Sequence, residues 1–270
     1  MEKTNRLSLC QLAGIVARAM GIERPKQAQQ PDETLCGLVE DLCKEPIERT
    51  LIYNPDAVGQ CLAEKYPQLF ASVRRETQLI LPFRAVMPSY TPVCFCTMYT
   101  GALPEVHGIR EYAKPVISID SLFDSALRAG KKVAIVAVEG SSMAHIYNDR
   151  ALDYYIMPYD EQVRDQALKL IEEDRYDLIS VYTQEYDDVM HRTGVESPES
   201  MMALQHQIDI FEALTAKIHH CWKNHAVLYT FSPDHGIHQQ EDGHGNHGTD
   251  HPLDLNILHY IGVQNAAVKK

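Results

Sequence analysis

The stretch AVLYTFSPDHG, residues 226–236, indicates the architecture of this chain because it joins a strand pattern directly to two candidate ligands. The run from Ala226 to Phe231 is short, apolar and rich in residues that favour strands. Asp234 and His235 follow it after Ser-Pro. In open parallel sheets, ligands bind beyond the carboxyl ends of the strands. We therefore expect a buried strand here, with a functional edge of the sheet just after it.

Outward from this stretch, three further runs have the same composition: Thr50–Tyr53 (TLIY), Val133–Val138 (VAIVAV) and Leu178–Tyr182 (LISVY). Three helices are predicted between the strands: residues 121–128 capped by Asp120 and ending at Gly130, the run from Asp160 as cap to Glu173, and a run from Pro198 through Trp222. This alternation implies a mainly parallel sheet covered on both faces. The expected fold class is α/β, a three-layer α/β/α sandwich in which residues 1–270 form a single domain.

Composition and charge narrow the class of protein. The chain has 270 residues, 45% of them hydrophobic, and a formal net charge of -12. This charge argues against a nucleic-acid-binding surface, which needs a basic patch. We find no secretory signal and no run long enough to span a bilayer, so no membrane partner is expected. Seven cysteines without framework spacing suit a reducing compartment, and we expect a cytoplasmic protein.

The residues that follow the predicted strands are rich in metal-ligand types. They are Asn54 and Asp56, then Glu185, Asp187, Asp188 and His191, then Asp234 and His235, and finally His238, His244, His247 and His251. Carboxylate oxygens and neutral imidazoles both bind zinc or manganese well. Asp187 and His191 can face one ion from a single helical turn. Two ions a few ångströms apart would clamp the attacking and leaving oxygens of phosphoryl transfer.

Four segments carry a family resemblance: MPSYTPVCFCTMYTGALPEVHGI (87–109), DDVMHRTG (187–194), PDHGI (233–237) and NHG (246–248). In this order they resemble the alkaline phosphatase superfamily, and most closely its type I phosphodiesterase/nucleotide pyrophosphatase family. The first segment resembles the family's nucleophile element, in which a Thr is followed by a T-G turn, a Pro and an H-G. The resemblance covers residues 49–263 and implies an alkaline-phosphatase-like fold.

The resemblance implies a hydrolase of phosphoric ester bonds that uses two divalent metal ions, zinc first and manganese as the alternative. Thr91 matches the nucleophile, which in the family also touches a metal. The implied ligands are Asp56, Thr91, Asp234 and His235 for the first ion, and Asp187, His191 and His247 for the second. A small phosphorylated molecule is the implied substrate. Attack by Thr91 would give a covalent phospho-Thr that water hydrolyses.

Several assignments leave an alternative open. Asn54 is a weaker candidate than Asp56, since Asn-Pro-Asp is also good turn chemistry. Asp188 competes with Asp187, which has the better register to His191. Three histidines share the last loop, where His247 is preferred and His244 is the second choice. His107 is expected to be structural and to fix the turn after the nucleophile helix.

Three departures from the family pattern stand out. Cys94 replaces an Asn that binds a phosphoryl oxygen, so its role in substrate binding is a weak prediction. The stretch 139–158 is predicted to form a small cap. The N-terminal segment, residues 1–47, is expected to be helical. Its stretch 7–25 resembles an element that follows the last strand in relatives, which predicts a circular permutation.

Three functions follow from these observations. The first is a phosphodiesterase or nucleotide pyrophosphatase, favoured because few basic residues, only Arg110, Lys114 and Arg192, lie near the motifs. The second is a phosphomonoesterase or a phosphonate hydrolase that uses the same metals and nucleophile. The third is a metal-binding sensor or scaffold without turnover, for which Cys94 is the only support.

Overall fold

The computed structural model describes residues 3–267. The strands in this range are β1 (Leu7–Ser8), β2 (Arg49–Pro55), β3 (Leu79–Arg84), β4 (Val133–Val138), β5 (Asp153–Met157), β6 (Leu178–Thr183), β7 (Val227–Phe231), β8 (His238–Gln239), β9 (Gly245–Asn246) and β10 (Asn256–Gln264). The helices are α1 (Gln11–Ala19), α2 (Glu33–Leu42), α3 (Gln60–Lys65), α4 (Ala71–Glu76), α5 (Thr91–Thr100), α6 (Pro104–His107), α7 (Leu122–Arg128), α8 (Ser142–Ile146), α9 (Asp160–Glu173), α10 (Glu185–Thr193), α11 (Pro198–Cys221) and α12 (Pro252–Leu255). Among residues 3–267, none of the helices combines the length and the hydrophobicity that a bilayer-spanning segment requires.

Eight strands form one sheet in the order β1-β3-β10-β7-β2-β6-β4-β5. β10 is antiparallel to both of its neighbours, and all other pairs are parallel. The four strands predicted from the sequence are β2, β4, β6 and β7, which occupy the interior of the sheet and are buried along nearly their whole length. The mainly parallel α/β sheet is therefore confirmed.

Helices cover the sheet in two groups. One group consists of α9, α10 and α11, in which α11 packs against both α9 and α10, and α9 lies on β4 and β6. The other consists of α1, α5, α7 and α8, with α7 and α8 on β4. Apolar side chains from both groups and from the sheet form the hydrophobic core. This arrangement agrees with the predicted three-layer sandwich.

Two predicted helix caps are wrong. Ser121 caps α7, because its hydroxyl accepts the N–H of Asp124 while the Asp124 carboxylate accepts the N–H of Ser121. Asp120 binds the Arg128 guanidinium instead. Asp160 is already the first residue of α9, and its carboxylate accepts hydrogen bonds from the start of α10.

The N-terminal segment lies beside both ends of β10. Asn5 donates its N–H to Asn256 Oδ1 at 2.8 Å, and Lys44 donates its N–H to Asn265 Oδ1 at 2.9 Å. β1 also pairs with β3, the neighbour of β10. These contacts are compatible with a permutation, which stays a prediction. Residues 1, 2 and 268–270 lie outside the described residues.

The stretch 139–158 is divided between the sheet and the site. Residues 153–157 form the edge strand β5 and belong to the central sheet, so this half is not a cap. Residues 139–142 border a pocket at the carboxyl end of β4. Only this first part of the stretch is placed where the predicted cap would contact a ligand.

Candidate active site

The seven residues predicted to form the site lie together at one edge of the sheet. Asp56 follows β2, Thr91 begins α5, Asp187 and His191 project from α10, Asp234 and His235 follow β7, and His247 follows β9. β2 pairs in parallel with both β6 and β7, so the residues after these strands emerge side by side. The topology alone thus brings ligand types from distant parts of the sequence to one place.

The first group of side chains surrounds the His235 ring. His235 Nε2 lies 3.3 Å from Thr91 Oγ1, 3.4 Å from Asp56 Oδ1 and 3.3 Å from Asp234 Oδ2. Thr91 Oγ1 is also 3.5 Å from Asp56 Oδ2. All four residues are buried. Asp234 and His235 therefore face the same point, although neighbours in an extended strand would face opposite ways.

The second group contains Asp187, His191 and His247. Asp187 Oδ1 lies 3.3 Å from His191 Nε2 and 3.5 Å from His247 Nε2. The two histidine Nε2 atoms are 3.2 Å apart. The two groups are adjacent. The rings of His235 and His247 stack with their centroids 3.9 Å apart. Asp187 is also close enough to Asp56 and His235 for the three side chains to hold one metal ion together.

The backbone sets the same tautomer in all three histidines. Nδ1 of His235 contacts Gly236 O at 3.0 Å, Nδ1 of His191 contacts Gly245 O at 3.0 Å, and Nδ1 of His247 contacts Ser89 O at 2.8 Å. A carbonyl oxygen only accepts, so each Nδ1 carries the proton and donates it. Every Nε2 lone pair is therefore left for the site, as in metal-ligating histidines.

The donor set fits divalent metal ions. Asp56 Oδ1, Asp187 Oδ1 and Asp234 Oδ2 are buried and accept no hydrogen bond from the described residues. Buried oxygens without partners are costly unless a cation satisfies them. The facing Nε2 atoms of His191 and His247 likewise require a shared proton or a metal. A pair of bound metal ions would satisfy both the unpaired carboxylate oxygens and the Nε2 lone pairs of the histidines.

Electrostatics support this interpretation. Burial, reinforced by the Asp234 and Asp187 carboxylates, holds the pKa of Asp56 well above its usual range. Burial raises the pKa of Asp234 to about 7. Burial also acts to raise the pKa of Asp187, but His191 and His247 outweigh it and hold that pKa below its ordinary value. Several carboxylates in one buried place repel one another, and bound cations would remove this repulsion.

Comparison with known proteins now assigns the family. The model of the family "Type I phosphodiesterase / nucleotide pyrophosphatase" matches residues 64–261, more than half of the chain. The chain belongs to this family. The resemblance indicated by the four sequence segments is thereby confirmed. None of the curated proteins compared with the chain matches it.

Solved structures share the fold of this family member. Phosphonoacetate hydrolase from Sinorhizobium meliloti 1021, in complex with phosphonoformate, is 16% identical with a TM-score of 0.56, over 74% of this chain and 60% of that one. Murine ectonucleotide pyrophosphatase / phosphodiesterase 5, in an inactive form with AMP, is 19% identical with a TM-score of 0.54, over 72% and 59%. This chain thus spans about three fifths of the length of either neighbour.

A pocket of about 130 Å³ opens from Asp56, Thr91 and Asp187. Its other walls are Tyr112, Lys114, residues 139–142, Tyr182, Gln184 and Asp188. Lys114 Nζ donates to Gly140 O at 2.7 Å, which holds the ammonium group at the wall of the pocket. Burial lowers the pKa of Lys114, whereas the Asp56 and Asp188 carboxylates act to raise it.

The sequence does not predict three of these walls, Tyr112, Tyr182 and Gln184. Tyr182 donates its hydroxyl to Asp56 Oδ2, yet in the sequence it reads only as a strand residue. Tyr112 follows the His107-Gly108 turn, and this position was its only signal. For Lys114, the sequence indicates only a cation near the motifs and not a wall of the pocket.

The weaker candidates do not join the two ligand groups, although Asp188 lines the pocket. Asp188 accepts hydrogen bonds from Tyr159 and Gln184 instead of joining the ligand groups. Asn54 is buried against Ser232 O and the Tyr99 hydroxyl. His244 is exposed beside Asp242. Two further residues lie off the ligand groups: His251 accepts the N–H of Leu253 at the start of α12, and His107 contacts Thr97 and Ile109.

Cys94 does not reach the open part of the site. It is fully buried on α5, and its thiol contacts the backbone of Val86. Burial, and after it the Asp234 charge, hold the pKa of the Cys94 thiol well above its usual value. Its predicted contact with substrate gains no support from this position.

Proposed function

We propose that this chain is a two-metal phosphohydrolase in which Thr91 is the nucleophile, acting as a phosphodiesterase or nucleotide pyrophosphatase. One observation carries the proposal. The Thr91 hydroxyl lies at the meeting point of the first ligand group, 3.3 Å from His235 Nε2 and 3.5 Å from Asp56 Oδ2. An ion held there would lower the pKa of that hydroxyl and stabilise the charge that develops on phosphorus.

The chain's own residues account for the rest of the chemistry. Thr91 is the first residue of α5, so the positive end of that helix faces an incoming phosphoryl group. Thr91 Oγ attacks phosphorus and gives up its proton to water, while the bond from phosphorus to the leaving oxygen breaks and that oxygen departs with the bonding electron pair. Water then cleaves the Thr91 ester and regenerates the hydroxyl. Asp56, Thr91, Asp234 and His235 would hold the first ion, and Asp187, His191 and His247 the second.

The ligand types indicate the metal, and the pocket and the composition of the chain indicate the substrate and the cellular compartment. Carboxylates with Nε2 imidazoles suit zinc, with manganese as the alternative. The pocket admits a small phosphorylated molecule, and the net charge of -12 makes a nucleic-acid polymer an unsuitable partner. The seven cysteines lack the spacing of a disulfide framework, which supports a reducing compartment such as the cytoplasm.

Lys114 supports a second candidate, a phosphomonoesterase or phosphonate hydrolase. A phosphomonoester carries one more negative charge than a diester, and an ammonium group at the pocket wall would pair with it. The phosphonoacetate hydrolase neighbour is the reason to include a phosphonate among the substrates tested. The family match is the reason to rank the diester first.

Hydrolysis of three p-nitrophenyl esters tests both candidates: bis-p-nitrophenyl phosphate, p-nitrophenyl phosphate and p-nitrophenyl phenylphosphonate. The purified chain is stripped of metal and reloaded with zinc or manganese. We expect metal-dependent turnover that Thr91→Ala abolishes, with the diester preferred. Lys114→Gln, compared with Lys132→Gln at the opposite end of β4, should lower monoester turnover alone. Tight metal binding without turnover of any ester would contradict the enzyme and favour a sensor or scaffold.

A further inference from the structure

Asp160 is fully buried at the start of α9, but its carboxylate serves a different helix. Oδ1 accepts the backbone N–H of Gln184 at 3.0 Å, and Oδ2 accepts that of Glu185 at 2.9 Å. These amides lie at the N-terminus of α10, where backbone N–H groups have no partner within the helix. The negative charge also complements the positive end of the α10 dipole. Asp160 therefore fixes the start of the helix that carries Asp187 and His191.

A buried network from three other elements holds the Asp160 carboxylate in place. Gln207 on α11 donates its Nε2 to Asp160 Oδ2 at 2.7 Å. Gln207 Oε1 accepts hydrogen bonds from the Tyr53 hydroxyl at 2.9 Å and from Thr183 Oγ1. All four residues are fully buried. A buried polar network whose members are all paired is rigid and specifies a single arrangement.

The same network reaches the first ligand group. Thr183 at the end of β6 accepts the N–H of Asp56 on its carbonyl oxygen at 3.0 Å. Tyr53 lies on β2, the strand that leads directly to Asp56. Asp187, on α10, lies within ligand distance of members of both groups. The network thus fixes the end of β2 and the first turn of α10 relative to each other.

We propose that Asp160 is a positioning residue of the metal site. By holding the first turn of α10, it sets the place of Asp187 and His191 and so the affinity of the chain for the second ion. Asp160 is not itself a ligand, because both of its oxygens face backbone amides and Gln207. The inference rests on the proposed two-metal site. Loss of a group that hydrogen-bonds a metal ligand typically weakens metal binding by about 10–100-fold, and we expect the lower end of this range because Asp160 acts through the backbone of α10.

Zinc titration of the metal-free full chain against a competing chelator tests this role. In Asp160→Asn the new amide keeps the size of the side chain but presents N–H to one of the two backbone donors, so one hydrogen bond is lost. The matched control is Asp165→Asn, an exposed carboxylate of the same helix. His191→Ala gives the isotherm expected when the second ion is lost. We expect Asp160→Asn to weaken the second ion at least tenfold, with first-ion affinity and thermal stability near those of Asp165→Asn.

Other results overturn the inference. One such result is a zinc-binding isotherm of Asp160→Asn that matches that of Asp165→Asn. Another is an equal loss of affinity for both ions together with a lower melting temperature, which is the result of a merely structural role. If Asp160→Asn does not fold, Gln207→Met removes the donor that holds Asp160 and is judged by the same readout. Failure of the wild-type chain to bind two zinc ions would instead overturn the proposed function, and this inference with it.

Discussion

At the scale of single residues, backbone carbonyls prepare the site by choosing which nitrogen of each histidine is protonated. His191, His235 and His247 all donate Nδ1–H to a carbonyl, which leaves three Nε2 lone pairs facing three buried carboxylates. Sequence patterns predict the residue types but not this orientation, because His191 and His247 donate to the carbonyls of Gly245 and Ser89, each of which is far along the chain from its donor. The predicted ligand groups depend on these long-range contacts.

Tyr182 offers a test at this scale. Its hydroxyl donates to Asp56 Oδ2, which orients the carboxylate so that Oδ1 faces His235. We expect Tyr182→Phe to lower metal-dependent turnover by about tenfold, as loss of an outer hydrogen bond usually does. The control is Tyr147→Phe, which removes another buried tyrosine hydroxyl, one bonded to Phe95 O away from the site. Equal activity of the two variants would show that Tyr182 does not orient Asp56.

At the scale of elements, the four strands that are continuous apolar runs are predictable from the sequence, and the alternating strand β3 is not. β2, β4, β6 and β7 are continuous apolar runs because both faces of the sheet are covered. β3 alternates between buried and exposed residues and contains Pro82, so its sequence lacks that signal. Tyr112 and Lys114 lie in an irregular segment between α6 and α7, whose path local sequence does not determine.

The loop after β9 gives the second prediction. Gly248 has φ +100, and a Cβ there would lie 2.2 Å from the Tyr90 ring, which contacts the His247 ring. We expect Gly248→Ala to displace His247 and to weaken zinc binding by about tenfold or more, measured by chelator competition. Gly243→Ala is the control, because Gly243 has φ +89 but open space around it. Equal zinc affinity in the two variants would exclude a role for this packing.

At the scale of the whole molecule, the antiparallel strand β10 carries a buried titratable group. His259 is fully buried, donates Nε2–H to Pro233 O at 2.8 Å, and has no partner for Nδ1 among the described residues. Burial lowers the pKa of His259 to about 4, because a second proton would leave a charge without compensation. This group links the stability of the fold to pH.

The sign of that linkage gives the third prediction. Between pH 6.5 and about pH 4 the unfolded chain binds a proton at His259 that the folded chain excludes. The free energy of unfolding should therefore fall by up to about 3 kcal/mol as the pH decreases through this range. Gln in His259→Gln keeps a donor for Pro233 O but does not titrate. The free energy of unfolding of this variant should therefore fall less over this pH range than that of wild type. Urea unfolding at pH 7 and pH 4.5, with exposed His220→Gln as the control, measures the difference. Parallel pH profiles of wild type and His259→Gln would contradict it.

Whether Thr91 is the nucleophile is tested by a search for the covalent intermediate on its side chain. The zinc-loaded chain is mixed with bis-p-nitrophenyl phosphate, quenched in acid within one turnover, digested and analysed by mass spectrometry. We expect a p-nitrophenyl phosphoryl group on Thr91, formed with release of one p-nitrophenolate and absent without metal. Turnover that leaves Thr91 unmodified while another side chain carries the phosphoryl group would contradict it.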